Sequence, residues 1–407
     1  MIHIWKVFLA ISVLLLSLRG VLFYAFPLQL QDGQEVHFAT KIFTDPTSTL
    51  YGQQVAVHIG DFWQSVPVTL VFSKNIQLSY GDDIIIVGKI SKKVLKSTSV
   101  VTAIYLPKIK AKNTGFLPFL NQIRQKIVDI CEKSFSQAYS SLLVRILLGV
   151  KAPFSKSITT SFRITGVTHV IEASGMNVTL VGGFLLGIVS RFFKRRLSLV
   201  ITIFGILFYT LLSGLGPSIV RAAIMGIVAF SGQLFGRQYT PVYGLFLAAG
   251  VMLFWDPLLL GNVGFQLSVG STLGIILLKP MIPLKGLLLD DIGTTFAAQI
   301  ATLPILLSTF GSYGLLSLVV NALVLWTVPL LMILGGIGVV GGLLWNSLGV
   351  IILQLCLPLL WYFVGVGAYF GKFNLPFQIQ QMPVLLSLGY YLLLGTLILY
   401  GKRVVGR

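Results

Sequence analysis

The sequence predicts a polytopic α-helical membrane protein with a small all-β soluble domain inserted after its first span. Three observations carry that prediction. Of 407 residues, 55% are hydrophobic and 10% charged, at a mean hydropathy of +0.90, which is more apolar material than a water-soluble core can hold. Apolar runs of span length recur from Thr168 towards the C-terminus. Between Gln31 and Lys112 the texture changes to short alternating, β-branched runs.

The first apolar run, Ile4 to Tyr24, has Lys6 near its start and Arg19 near its far end. It is long for a secretory leader and no small-x-small cleavage site follows, so residues 1–24 are predicted to be an uncleaved signal anchor. Residues 31–112 are predicted to form the β domain, with strands at Val36–Phe43, Gln53–Ile59, Val66–Ser73, Asp83–Ile90 and Ser99–Leu106. Turn words such as Thr44-Asp45-Pro46 and Tyr80-Gly81-Asp82-Asp83 separate them. Five strands suit an OB-like (oligonucleotide-binding) barrel and suit a generic small barrel equally.

Residues 116–165 are read as amphipathic interfacial helices. Phe116, Leu117, Leu120, Ile123, Ile127, Ile130 and Cys131 recur at helical spacing opposite Gln122, Arg124, Lys126 and Asp129. Such a helix either lies in the headgroup layer with its basic face outward or packs on protein.

Residues 166–407 are predicted to be the polytopic domain, with spans at Thr168–Val189, Leu197–Ser213, Ser218–Phe235, Val242–Trp255, Val263–Leu278, Thr294–Phe310, Leu315–Trp345, Val350–Phe370 and Val384–Tyr400. With the anchor this gives about ten spans, or eleven if Leu315–Trp345, read as Pro329-kinked, crosses twice. The positive-inside rule then puts Arg191–Arg196, Arg237, Lys279 with Lys285, and Lys402–Arg403 in the cytoplasm and the β domain outside. Lys372 dissents.

Residues 166 to 407 hold 12 Lys+Arg against 4 Asp+Glu, an excess that topology accounts for. Residues 25 to 165 hold 16 against 8, which topology does not explain. Lys89, Lys92, Lys93 and Lys96, with Lys108, Lys110 and Lys112, would attract either a phosphate backbone or anionic headgroups.

Polar words inside the apolar runs point to a path or a packing site, since an ionised side chain at mid-depth costs about 2.5–3.5 kcal/mol even on the lenient insertion scale. Glu172, Ser174, Gly175 and Asn177 fall in the outer half of the second span, Ser218 and Arg221 in the first turns of the fourth, and Gln266 and Ser268 in the outer half of the sixth. These residues are predicted to line one outward-opening vestibule, with Glu172 and Arg221 about a turn below the surface and paired. Asp256-Pro257 is read as a helix cap.

At these residues the sequence resembles the membrane channel proteins of bacterial competence, the ComEC type. Ile171-Glu172-Ala173-Ser174-Gly175-Met176-Asn177, Pro217-Ser218-Ile219-Val220-Arg221-Ala222, Gly236-Arg237, Asp256-Pro257 and Gly264-Phe265-Gln266-Leu267-Ser268 follow the family's order and approximate spacing. The resemblance implies a channel that passes one strand of incoming DNA across the cytoplasmic membrane during transformation. It also implies that the β segment is an external OB-like domain that binds the strand, with Lys89, Lys92, Lys93 and Lys96 on its phosphates and Tyr51, Phe62, Trp63 and Tyr80 as candidate stacking residues. Single-stranded DNA and membrane lipid are the implied partners, with a membrane-anchored DNA receptor; movement falls to a cytoplasmic DNA-translocating ATPase or to capture of the emerging strand, and strand removal either to a separate nuclease or to none.

Two departures stand out. Asn177 occupies the place where members usually carry histidine, and Glu172 a place where a small or apolar residue is common. Many members continue into a metallo-β-lactamase-like domain, whereas this sequence ends at Arg407 soon after its last predicted span.

No enzymatic activity and no cofactor are expected. The histidines are His3, His37, His58 and His169, without the clustered ligands a two-metal nuclease needs. No Gly-x-x-x-x-Gly-Lys-Ser/Thr loop is present to hold ATP. A permease or flippase for a lipid-linked or small substrate, and a membrane-anchored receptor or scaffold, fit the residues as well as a DNA channel does.

Overall fold

The computed structural model describes residues 16–25, 28, 30–48, 52–60, 64–73, 76, 78–95, 99–105, 107–112, 115–150, 152–167, 171, 175–282, 286–310, 312–314, 316–373, 376–378 and 382–405. They fall into two compact units, Met1–Gln125 with Gly250–Leu258, and Lys126–Ala249 with Leu259–Arg407.

The first unit contains a β domain of seven strands: β1 Glu35–Lys41, β2 Thr47–Ser48, β3 Gln53–Gly60, β4 Ser65–Phe72, β5 Asp83–Leu95, β6 Ser99–Tyr105 and β7 Lys108–Lys112. They pair in the order β1-β5-β6-β4-β3-β2, with β7 also on β5. The β4–β6 pair is parallel and the others are antiparallel. Alternation dictates this: in β3, Val55, Val57 and Ile59 point inward while Gln54, Ala56 and His58 are exposed. The inward residues join Val68, Leu70, Phe72, Ile84, Ile86, Ile90 and Ile104 in one core. Five of these strands lie where alternation predicted them. β2 and β7 were not foreseen, and β5 runs five residues beyond its predicted end at Ile90.

The turn before β5 is tight. Gly81 has φ +89°, a conformation open to glycine, and Asp82 Oδ2 accepts from the Ser79 N–H at 2.7 Å. Helix α1, Leu16–Ala25, is the described part of the predicted anchor. Its Arg19 is buried, donates from Nε to the Phe254 carbonyl and stacks over Phe23. Asp256 Oδ1 accepts from the Leu258 N–H, as a cap does.

Helix α2, Phe116–Ser134, belongs by its first ten residues to the first unit and thereafter to the second. Leu120, Ile127, Ile130 and Cys131 are covered by protein, while Phe116 and Phe119 are exposed. Arg124 departs from its predicted place on an outward basic face: it is 2% exposed, pairs with Asp45 and lies 4.7 Å over the Tyr80 ring.

The second unit is helical: α3 Gln137–Leu148, α4 Lys156–Ile164, α5 Gly175–Val189, α6 Arg195–Leu212, α7 Pro217–Leu234, α8 Pro241–Trp255 (shared with the first unit), α9 Val263–Leu278, α10 Leu287–Phe310, α11 Ser317–Val324, α12 Thr327–Leu344, α13 Asn346–Gln354, α14 Leu357–Gly371 and α15 Val384–Val405. Among the described residues five helices are long and apolar enough to cross a membrane, α6, α7, α9, α10 and α12, and six if the pair α13 and α14, bent by 50°, counts as one span. Leu315–Trp345 therefore holds one helix of span length. Its break lies between α11 and α12, and Pro329 sits in the first turn of α12, where a missing N–H costs nothing, rather than at a kink.

Glycines set the close approaches. A Cβ at Gly338 would meet Leu353, one at Gly342 would meet Ile130, and one at Gly274 would meet Ala301 and the Ala297 carbonyl. Small residues at helix crossings let backbones approach in this way.

Candidate functional site

Helices α5, α7 and α9 converge on one side chain, Arg221. Its sequence neighbours Ala222, Ala223 and Ile224 offer nothing polar, so its charge must find partners elsewhere. Nε donates to Ser268 Oγ at 2.7 Å, and Nη1 donates to Thr272 Oγ1 and lies 3.8 Å from Met225 Sδ. Ser268 and Thr272 are one turn apart and so share a face of α9. Arg221 is left 7% exposed.

This geometry corrects the predicted depth of the charge. Helical side chains usually lean towards the amino end, yet this guanidinium runs the other way, because its acceptors lie there. Met225 is the ninth of 18 residues in α7 and Thr272 the tenth of 16 in α9. The charge lies at mid-length of both helices, although its Cα is in the second turn of α7.

The energetics are close to balanced. A charged group at mid-depth costs about 2.5–3.5 kcal/mol on the insertion scale. Hydrogen bonds to charged groups return about 1.5–3 kcal/mol each, so the two hydroxyls offset that cost, and among the described residues Arg221 has no ion pair.

Gly175 is part of the same construction. A Cβ there would lie 2.6 Å from Arg221 Nη2 and 3.1 Å from Ala222 Cβ. The guanidinium occupies the space of the missing side chain, so any larger residue at this position of the Ser-Gly-Met-Asn word would have to displace it.

The other predicted residues disperse. Ser218 is half-buried in the first turn of α7. Gln266 turns away and donates to the Leu260 carbonyl at 2.8 Å, bracing the 3-10 turn Pro257–Gly261. Asn177 is 2% exposed and its Nδ2 donates to the Ile146 carbonyl at 2.8 Å, while the Tyr209 hydroxyl donates to Leu147 at 3.0 Å. These two carbonyls belong to the last turn of α3, where no intrahelical donor reaches them. Glu172 and Ser174 lie outside the described residues, and so does the predicted Glu172–Arg221 pair.

In the β domain Lys89 is exposed on β5, directly opposite Glu35 of β1. Lys92 and Lys93 continue the same strand, in register with Thr102 and Val101 of β6, and Lys96 lies outside the described residues. Tyr80 is withdrawn from its candidate role: it is 1% exposed and covered by Arg124, so no base can stack on it. Tyr51, Phe62 and Trp63 lie outside the described residues. Among the described residues no three His, Cys, Asp or Glu side chains gather as a metal site would need.

Thr272, Met225 and Tyr209 escaped the sequence reading. Thr272 was legible as the residue one turn after Ser268, and Met225 as the residue one turn after Arg221. Nothing local marks Tyr209.

Residues 146–404 match the family described as Competence protein. Similar curated proteins include ComE operon protein 3 of Bacillus subtilis, 26% identical over 204 residues, covering 49% of this chain and 26% of that one. Recombination protein 2 of Haemophilus influenzae is 28% identical over 155 residues, 36% of this chain and 20% of that one. Competence protein ComA of Neisseria gonorrhoeae is 25% identical over 209 residues, 48% of this chain and 30% of that one. The matched stretches thus span a third or less of each of these relatives. No solved structure matches.

Proposed function

The chain belongs to the Competence protein family, and on that premise we propose that it is a multi-pass channel of the bacterial cytoplasmic membrane that imports single-stranded DNA during natural transformation. The observation that carries the reading is the Arg221 guanidinium, kept charged between α5, α7 and α9 at mid-length of two helices of span length. An apolar layer holds such a group where something charged must pass or bind.

Ten spans are proposed, because each of the ten predicted runs contains an apolar helix, α1, α5 to α10, α12, the α13–α14 pair and α15. The basic loop ends orient them with the β domain outside. Its strand order, with β4 and β6 parallel and their neighbours antiparallel, supports an OB-like barrel, a fold that binds oligonucleotides. Lys89, Lys92, Lys93 and Lys96 would follow the phosphates there.

The path is proposed to run past Glu172, Ser174, Gly175, Ser218, Arg221 and Ser268, with Asn177 and Gln266 bracing its walls. Neither an ATP site nor a nuclease is proposed for this chain. A membrane-anchored receptor, a cytoplasmic translocating ATPase and a separate nuclease would supply capture, force and strand removal.

The test is uptake of labelled DNA by a deletion strain carrying the wild type or the Ser218→Leu/Ser268→Leu double variant. Surface-bound and internalised DNA are measured separately. The double variant should retain the first and lose the second; normal entry through it would mean that the strand passes elsewhere or that the cargo is not DNA.

A further inference from the structure

Helix α10 carries a proline in its interior, Pro304, within a helix long enough to cross a membrane. Proline has no backbone N–H, so the Ile300 carbonyl, four residues earlier, loses its intrahelical donor. A carbonyl left bare in an apolar layer is expensive, and neighbouring helices commonly supply the missing partner. Here the Tyr390 hydroxyl of α15 donates to the Ile300 carbonyl at 2.9 Å. The next residue, Tyr391, donates its hydroxyl to the next carbonyl, Ala301, at 3.0 Å. The two rings meet edge to face with centroids 5.8 Å apart, an arrangement that holds both hydroxyls in place.

Little apolar burial accompanies these contacts, for Leu385, Leu388, Leu392 and Leu399 of α15 are exposed. Lipid tails are as apolar as leucine, so polar contacts and close packing decide where such a helix docks. Pro304 opens the acceptor, and a tyrosine 90 residues along the chain from that acceptor supplies the donor.

Ala301 connects this contact to α9. A Cβ at Gly274 would overlap the Ala301 methyl group and the Ala297 carbonyl, so the two helix backbones touch there. One turn earlier, a Cβ at Gly270 would meet Ile305 and Thr302. Between these glycines lies Thr272, which accepts from Arg221 Nη1, and one turn before it Ser268 accepts from Nε. A crossing this close leaves α9 no room to shift independently of α10. The place of the two hydroxyls therefore follows α10.

We propose that Tyr390 and Tyr391 latch α10 at Pro304 and thereby position the Ser268–Thr272 face of α9 against Arg221. Both are positioning residues, acting through α10 and α9. Their bearing on transport rests on the channel reading; the latch itself does not. A proline removes one bond of the helical ladder and leaves a point at which the helix can bend. The Tyr390 hydroxyl restores that bond from outside the helix, and Tyr391 holds the adjoining residue that abuts Gly274.

The test uses the full chain purified in detergent and follows thermal midpoints. Tyr390→Phe removes one hydroxyl, keeps the ring, and should lower the midpoint by a few degrees. Pro304→Ala returns an N–H to α10 that can reach the Ile300 carbonyl, so Tyr390→Phe should cost much less when Pro304→Ala is present. Packing of the tyrosine ring alone predicts no such rescue. For the second step, Tyr391→Phe combined with Thr272→Val should lose less than the sum of the two single changes.

No loss in Tyr390→Phe, or an equal loss with and without Pro304→Ala, would overturn the latch. Additive losses in Tyr391→Phe and Thr272→Val would overturn the positioning of α9. Should Pro304→Ala fail to fold, Pro304→Leu supplies the same N–H and decides in its place. DNA entry in a deletion strain then reads the bearing on transport: internalised DNA should fall several-fold in Tyr390→Phe and recover in Tyr390→Phe/Pro304→Ala, at equal surface binding. Unchanged entry in Tyr390→Phe would overturn that bearing. A wild-type chain that restores no entry removes the DNA reading, and the midpoints in detergent still decide the latch.

Discussion

Arg124 and Asp45 form a two-point ion pair although 79 residues separate them: Nη1 donates to Oδ1 at 3.2 Å and Nη2 to Oδ2 at 2.7 Å. The guanidinium is almost fully buried and stacked on Tyr80, and among the described residues its Nε has no hydrogen-bond partner. The pair fastens the middle of α2, at its ninth residue, to the loop between β1 and β2.

Removing one partner of a buried pair costs about 3–5 kcal/mol, and Asp45 is partly exposed, which puts Asp45→Asn and Arg124→Gln at the low end. Both should speed limited proteolysis in the β domain of the detergent-purified chain. Arg124→Met with Asp45→Leu should be less harmful than either single change, since no charge is then stranded.

Burial raises the Asp82 pKa, opposed by the Ser79 N–H and aided by the Asp83 charge. The folded state therefore holds this proton more tightly than the unfolded chain. Stability is higher below the folded pKa and falls as pH rises through the window between the unfolded and folded values. Asp82→Asn keeps an acceptor for Ser79 without the charge. Its thermal midpoint at pH 7 should equal or exceed the wild type, and the difference should shrink towards acid.

Cysteine labelling can read the topology against a dark background. Cys131 and Cys356 are fully buried, and burial, with Cys356 and Glu132 nearby, pushes the Cys131 thiol up to about 12. An impermeant maleimide added to intact cells at pH 8 should mark Gln54→Cys, spare Lys194→Cys and leave the wild type unlabelled. Labelling of Lys194→Cys from outside would invert the proposed orientation.

The β domain should bind single-stranded DNA weakly, without strong sequence preference, and less tightly as salt rises. Lys89→Glu together with Lys93→Glu should lower affinity for a labelled oligothymidylate and flatten the salt dependence. Unchanged binding would place the strand on another face.

Glu172 and Arg221 are expected to be coupled, because either charge alone is costly in an apolar layer. The yields of monodisperse protein for Glu172→Gln, Arg221→Gln and the double variant form a cycle. The double variant should lose less than the sum of the two. Additive losses would leave the guanidinium to Ser268 and Thr272 alone.

Much was determined by the sequence itself. Composition and run length fix the membrane class because lipid tolerates few charges, and alternation fixes five of the strands because a pleated strand shows every second residue to the core. The words around Gly175, Arg221 and Ser268 identified the convergent residues, since polar groups in an apolar run need partners. Tertiary structure decided what sequence spacing cannot encode. Arg124 and Tyr80 looked like surface groups until α2 closed over them, and Asn177 looked like a path residue until the end of α3 supplied its acceptor. The Arg221 charge lies at mid-length rather than near the surface because Thr272 and Met225 sit there, and a long flexible side chain follows its partners, not its own Cα.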